Sequence, residues 1–215
     1  MKTDLIVARY NEDLEWLNKV SHLFTRIFIY NKGDNKIENN LDMFSDKNKI
    51  IYENLENVGR EGHTYLYHII KNYDNLGDDN IFTQAEPFDH LVKKEYVSVD
   101  FFKQVIEKYL ESDLEFKGFG GKHYVWYVGI NGEKKQNLVR KLHSELFENK
   151  FNENYKFNNG GIFGVNKDTI RNRSKDFFKH IINFSNFSTH INPLIGFGVE
   201  RMWVLFFNKD YISKI

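Results

Sequence analysis

The chain has 215 residues, 30 basic and 30 acidic side chains, 41% hydrophobic and 16% aromatic residues, and no cysteine. That composition excludes bulk disorder, disulfides, thiolate nucleophiles and cysteine zinc sites, and a net charge of zero gives no general attraction to phosphate backbones, so no nucleic-acid partner is expected. One domain spanning 1–215 is the economical reading against a prior of about 150 residues per domain, and the longest apolar run, Met202–Phe207, is far short of the roughly 20 residues of a membrane-spanning helix.

Leu5 to Tyr10 is a β-rich apolar run, followed by Asn11, Glu12 and Asp13 ahead of Leu14, Trp16, Leu17 and Val20, which predicts strand, loop, helix. A second strand over Arg26 to Tyr30 stops at the turn formers Asn31-Lys32-Gly33-Asp34. The polar run from Asn35 to Glu56 holds one further short strand, Lys49 to Tyr52. The glycine-bearing loop Asn57 to Gly62 feeds a helix whose apolar face is Tyr65, Leu66, Ile69, Ile70 and Tyr73. Asp78 and Asp79 read as a solvated turn before a strand over Ile81 to Gln84, which Pro87 closes because it cannot donate to a ladder.

In the second half, Asp100 is expected to cap a helix through Leu110. A flexible glycine loop over Lys117 to Lys122 precedes an aromatic strand, Tyr124 to Val128, and Gln136 to Phe147 is a helix. Gly160 to Val165 reads as a strand, and Asn166 as the cap of one helix running to about Ile182. Phe184 to Gly198 is loop-like, and the last helix, Val199 to Phe207, carries Glu200 in its first turn. Strands alternating with helices predict an α/β fold with a mainly parallel central sheet flanked by helices.

In such a sheet ligands lie outside the carboxyl ends of the strands. The residues that follow the strands are Arg9-Tyr10-Asn11-Glu12, Asn31 to Asp34, Gln84-Ala85-Glu86 and Gly129 to Gly132. They mix cations, amides, carboxylates and rings, the inventory a nucleotide diphosphate needs. In the 57–62 loop, glycines allow close backbone approach, Arg60 offers a planar fork, and the helix start presents free N–H groups. It lacks the lysine-serine ending of a P-loop and the three-glycine dinucleotide fingerprint. His63 and His68 are five apart, the wrong spacing for paired metal histidines on one helix face, and His68 reads as structural. Glu86 could hold a divalent cation that also meets diphosphate oxygens. Glu200 is either an acid stabilised by the helix dipole or a general base, with Asp89 and Asp210 as further candidates.

These pieces together resemble a GT-A glycosyltransferase, Rossmann-related in fold. The carriers are Ile6 to Glu12 and Asn57-Val58-Gly59-Arg60. More narrowly, Tyr30 to Gly33, the Gly-Arg-Glu-Gly-His-Thr-Tyr-Leu-Tyr-His run from Gly59 to His68, Gly160 to Val165 and Glu200 to Trp203 resemble a compact family. It includes the N-terminal glycosyltransferase domain of a large chlorella-virus protein. The resemblance implies sugar transfer from a nucleoside diphosphate sugar, UDP-linked, to a glycan or other hydroxyl acceptor, assisted by Mn2+ or Mg2+. It puts Ala8, Arg9, Tyr10 and Asn31 at the base and ribose, Arg60 at the base or diphosphate, and Gln84 and Glu86 at the metal position. About 1–90 would be the nucleotide-binding half and about 91–215 the acceptor half. Gln84 is neutral where an acid is usual, so either Glu86, phosphates and waters hold the cation, or Arg60, Lys32 and His63 stabilise the leaving group. The missing acid also leaves open a non-catalytic nucleotide-sugar or carbohydrate-binding module. A nucleotidyltransferase ranks last. A cytoplasmic location is expected, the host's if the chain is viral.

Overall fold

The computed structural model describes residues 1–35, 42–91, 98–124, 132–152, 154–187 and 194–215. Its centre is a six-stranded sheet in the order β3-β2-β1-β4-β8-β5. Strands β1 (Thr3–Arg9), β2 (Arg26–Asn31), β3 (Ile50–Asn54) and β4 (Asp79–Gln84) are mutually parallel. Strand β8 (Phe163–Asn166) runs antiparallel to β4, and β5 (Phe116–Gly118) antiparallel to β8. A separate ribbon pairs β6 (Lys122–Tyr124) with β7 (Lys156–Asn158). The expected α/β class with a mainly parallel sheet is what the chain adopts.

The central strands are apolar on both faces, as strands covered by helices on each side must be. Ile6, Phe28, Phe82, Phe163 and Val165 belong to one core with α2 (Arg60–Asn72), α4 (Gly132–Leu146), α6 (Lys175–Phe184) and α7 (Gly196–Phe206). Leu5, Val7, Ile27, Ile29 and Ile81 belong to the other, with Trp16, Leu17 and Val20 around α1 (Leu17–Val20), and with Phe102, Ile106 and Tyr109 of α3 (Val99–Leu110). Among the described residues no helix is long and apolar enough to cross a membrane.

Several boundaries differ from those read in the sequence, each for a local reason. The helix after β1 is a single α-turn continued by a 3₁₀ turn. Ser98 rather than Asp100 caps α3, its hydroxyl accepting from Phe101 N at 3.1 Å. Of the expected loop from Lys117 to Lys122, Lys117 and Gly118 belong to β5 because they pair with β8, and Lys122 begins β6. Gly160 and Gly161 lie in a 3₁₀ turn with φ of 80° and 60°, so β8 starts only at Phe163. The single helix after Asn166 is two, α5 (Lys167–Arg171) and α6, because Ser174 caps a new start by accepting from Phe177 N and Arg173 is drawn to Phe206 O at 2.9 Å and Asn208 O at 2.6 Å. Helix α7 begins at Gly196, which puts Glu200 in its second turn and removes the first-turn dipole explanation for that acid. Asp78 and Asp79 are not merely solvated: Asp78 accepts from Lys2 N and Lys167 Nζ, and half-buried Asp79 accepts from the Tyr109 hydroxyl. Residues 125–128 of the expected aromatic strand, and Gly129, lie outside the described residues.

An aromatic stack ties these layers together where they carry the site. Phe82 of β4 and Phe163 of β8 stack at 4.9 Å. Tyr65 of α2 stands edge-on to both, and Trp203 of α7 lies 5.1 Å from Phe163. Phe163 is 2% exposed, so Phe163→Ala is expected to cost about 3–5 kcal/mol through lost burial and a cavity, read as a lower urea midpoint.

Candidate functional site

Strands β2 and β3 lie on one side of β1, and β4 on the other, so the direction of strand addition reverses between β1 and β4. A parallel sheet opens a crevice at the carboxyl ends of the strands flanking such a reversal. A cavity of about 450 Å³ lies there, and every residue lining it falls before residue 91. Ala8 and Arg9 from β1 and Gln84 from β4 line it with Lys32, which follows β2. Asn57, Arg60, Glu61 and Thr64 line it from the entry loop and first turns of α2, while Tyr10 and Glu12 come from the loop after β1.

The strand ends are bound into one frame. The Arg9 guanidinium donates to Asn31 Oδ1 at 2.5 Å, to Asn35 O at 2.6 Å and to Glu12 O at 2.9 Å. Asn31 in turn donates to Gly33 O and Asn54 Oδ1. A Cβ on Gly33 would fall 1.6 Å from Tyr10 O, so only glycine lets the turn after β2 close on the loop after β1. Lys32 Nζ donates to Val58 O at 2.5 Å and Arg60 O at 2.7 Å, fastening the entry loop of α2. At that loop's end two consecutive residues are left-handed, Gly59 at φ 64° and Arg60 at φ 53°; the second is an uncommon conformation for a side-chain-bearing residue. The Arg60 guanidinium stacks over Phe197 at 4.7 Å.

Arg9 is 4% exposed, and among the described residues no carboxylate forms an ion pair with Arg9 or Lys32. Burial drives the Lys32 ammonium down to about 7, against a smaller opposing pull from Glu61. Buried charges are ordinarily paired. Thr64 is fully buried on the same cavity wall, and its hydroxyl has no hydrogen-bond partner. Helix α2 has no side-chain cap at its start. Arg9, Lys32, Arg60, an unpartnered hydroxyl and an uncapped helix N-terminus thus face one cavity, together with the Glu12 and Glu61 carboxylates.

The other candidate residues take different places. Asn31 is buried beneath Arg9 as a strut. His63 stacks against Tyr67, and burial followed by the Lys32 charge lowers it to about 4, so it is neutral and brings no positive charge. His68 is fully buried against the Tyr30 hydroxyl at 2.9 Å, a structural position. Glu86 is exposed and lines a neighbouring cavity with Glu15, Trp16 and Phe88, which meets the first at Glu12. Gln84 Nε2 donates to Gly160 O at 2.7 Å. Gln84 is uncharged and Glu86 lies outside the cavity, so this pair brings no carboxylate to it. Among the described residues no group of three or more His, Asp or Glu side chains is placed to hold a metal. Asp89 and Asp210 are exposed and do not line the cavity.

Glu200 does not line this cavity; it faces a small void with Gly161, Phe163 and Trp203, and its Oε1 accepts from Gly160 N at 2.7 Å. Burial, then the Glu61 charge, raises its carboxyl above the ordinary 4.5. The sequence reading did not single out Glu61 or Thr64. Thr64 had a signal in its spacing, four residues on from Arg60 and so on the same helix face, whereas Glu61, one residue on, had none.

Residues 5–214 match the model of a family described as "Protein of unknown function (DUF3431)", and the chain belongs to that family. No curated protein is detectably similar to it in sequence.

The raised Glu200 carboxyl has a stability consequence. The folded state holds that proton more tightly than the unfolded chain, so the contribution is full below pH 4.5 and is lost as pH rises through the folded value. Glu200→Gln keeps an acceptor for Gly160 N–H and cannot ionise. Its melting temperature relative to wild type is therefore expected to rise between pH 4 and pH 8, measured by circular dichroism.

Proposed function

We propose that the chain is a glycosyltransferase that binds a nucleoside diphosphate sugar, UDP-linked, in the β1/β4 cavity and passes the sugar to a glycan or other hydroxyl acceptor. The observation that carries the reading is the pair of cations at the cavity, buried Arg9 and half-buried Lys32, with no carboxylate ion-paired to either among the described residues. A diphosphate at the start of α2 would meet Lys32, the Arg60 guanidinium, the Thr64 hydroxyl and free helical N–H groups. The exposed Tyr10 ring at the rim offers a face for the base.

In the transfer the acceptor oxygen bonds the anomeric carbon while the bond from that carbon to the β-phosphate oxygen breaks. The electron pair leaves on the phosphate, and the acceptor proton passes to a base. Fixed cations at the diphosphate stabilise the charge that develops there. A manganese ion, if bound, would supply further positive charge at the diphosphate, although Gln84 is uncharged and Glu86 lines the neighbouring cavity. A second reading, a binding module without catalysis, is favoured by that neutral, engaged Gln84.

Calorimetry of UDP and UDP-sugars, with and without manganese, alongside an assay for released nucleotide, separates the two. Binding with release supports transfer, and binding without release supports the module. Arg60→Ala should weaken UDP binding by about 1.5–3 kcal/mol, roughly 10- to 150-fold, as expected for charge-assisted hydrogen bonds. Since Lys32 ionises near 7 in the free protein and an adjacent diphosphate favours its charged form, binding takes up a proton above that pH. UDP affinity should then fall toward about tenfold per pH unit, and Lys32→Met should flatten the dependence.

A further inference from the structure

Two carboxylates meet at the Gly160–Gly161 turn, and only one of them opens into the cavity. Glu61, in the first turn of α2, lines the cavity wall with its side chain 13% exposed. Glu200 does not line it. The turn is fastened from two sides: Gln84 of β4 donates to Gly160 O, and Glu200 of α7 accepts from Gly160 N, both at 2.7 Å. Glu61 lies against the fastened turn, where a Cβ on Gly161 would fall 3.6 Å from Glu61 Cγ and 3.7 Å from the Tyr65 ring. The Tyr65 hydroxyl is buried without a hydrogen-bond partner, and both carboxylates act on it. The Arg60 guanidinium, with Nε 3.4 Å from Glu61 Oε2, offsets the repulsion between this carboxylate and a diphosphate, which leaves the Glu61 side of the cavity for the sugar and the incoming hydroxyl.

Resting on the nucleotide-sugar reading above, we propose that Glu61 is the catalytic base and that Glu200 is a positioning residue, holding the turn against which Glu61 lies. Glu61 takes the proton from the acceptor oxygen as that oxygen bonds the anomeric carbon, and the nucleoside diphosphate leaves with the electron pair of the broken bond. Glu61 becomes a neutral acid and returns its proton to water after release. The charged and titratable groups facing the pair are Lys32 after β2, Arg60 and Tyr65 on α2 itself, and Arg201 on α7, which is 3.8 Å from Glu200. From β4 comes the uncharged Gln84. The Glu61 charge, after burial, raises the Glu200 carboxyl above its ordinary value.

The test uses the whole chain, UDP-glucose as donor and water as the acceptor probe, with released UDP as the readout and calorimetry of UDP in parallel. Glu61→Gln should bind UDP at least as well as wild type and lower kcat by about 10²- to 10⁴-fold, the usual worth of a positioned base. Glu61→Asp should keep more activity than Glu61→Gln. Glu200→Gln, which keeps an acceptor for Gly160 N–H, should keep more kcat than Glu200→Ala, which has none, with UDP binding the same in both. Undiminished release by Glu61→Gln, or UDP binding without release by the wild type, overturns the base assignment and leaves the nucleotide site standing. Failure of the wild type to bind UDP overturns the nucleotide-sugar reading itself.

Discussion

The arrangement depends on one electrostatic constraint: buried Arg9 and half-buried Lys32 hold positive charge at the carboxyl ends of β1 and β2, and among the described residues no carboxylate forms an ion pair with either. Burying an ion is costly unless hydrogen bonds or a counter-charge replace its water. Arg9 is satisfied by an amide and two carbonyl oxygens, and Lys32 by two carbonyl oxygens. Those bonds supply dipoles and leave the net charge in place. The same bonds fix the geometry, since each runs from one strand end to another strand or to the α2 loop. The groups that hold the frame together therefore also give the cavity its sign.

Around that frame the second half of the chain supplies a wall. Helix α7 places Phe197 under the Arg60 guanidinium and Glu200 under the Gly160 turn, while Gln84 ties the same turn to β4. The shared aromatic core of Tyr65, Phe82, Phe163 and Trp203 fixes the spacing of α2, β4, β8 and α7. Packing and site are thus one structure: Tyr65 is in the stack, and Glu61 is one helical turn before it.

Much of the fold was legible because its signals are local. The apolar runs at Leu5, Arg26 and Ile81 are strands with no room to be anything else, and the α2 periodicity survives its irregular start. The errors came where a tertiary partner decided. Lys117 and Gly118 look like loop until β8 pairs with them. The helix after Asn166 breaks because Arg173 reaches two carbonyl oxygens about 33 and 35 residues away. In the site, the strand-end rule found Arg9, Lys32 and Gln84, and the glycine loop found Arg60. It could not show that Asn31 lies beneath Arg9, that Glu86 faces the next cavity, or that Glu61 and Thr64 face this one. Side-chain direction past a strand end depends on the loop's path, which composition does not encode.

The most direct test is a crystal structure of the chain grown with UDP and manganese. The account predicts diphosphate density at the start of α2, against Lys32, Arg60 and the Thr64 hydroxyl, with any sugar-side opening toward Glu61. Density for the diphosphate in the neighbouring cavity at Glu86 and Trp16, with the β1/β4 cavity empty, would contradict it.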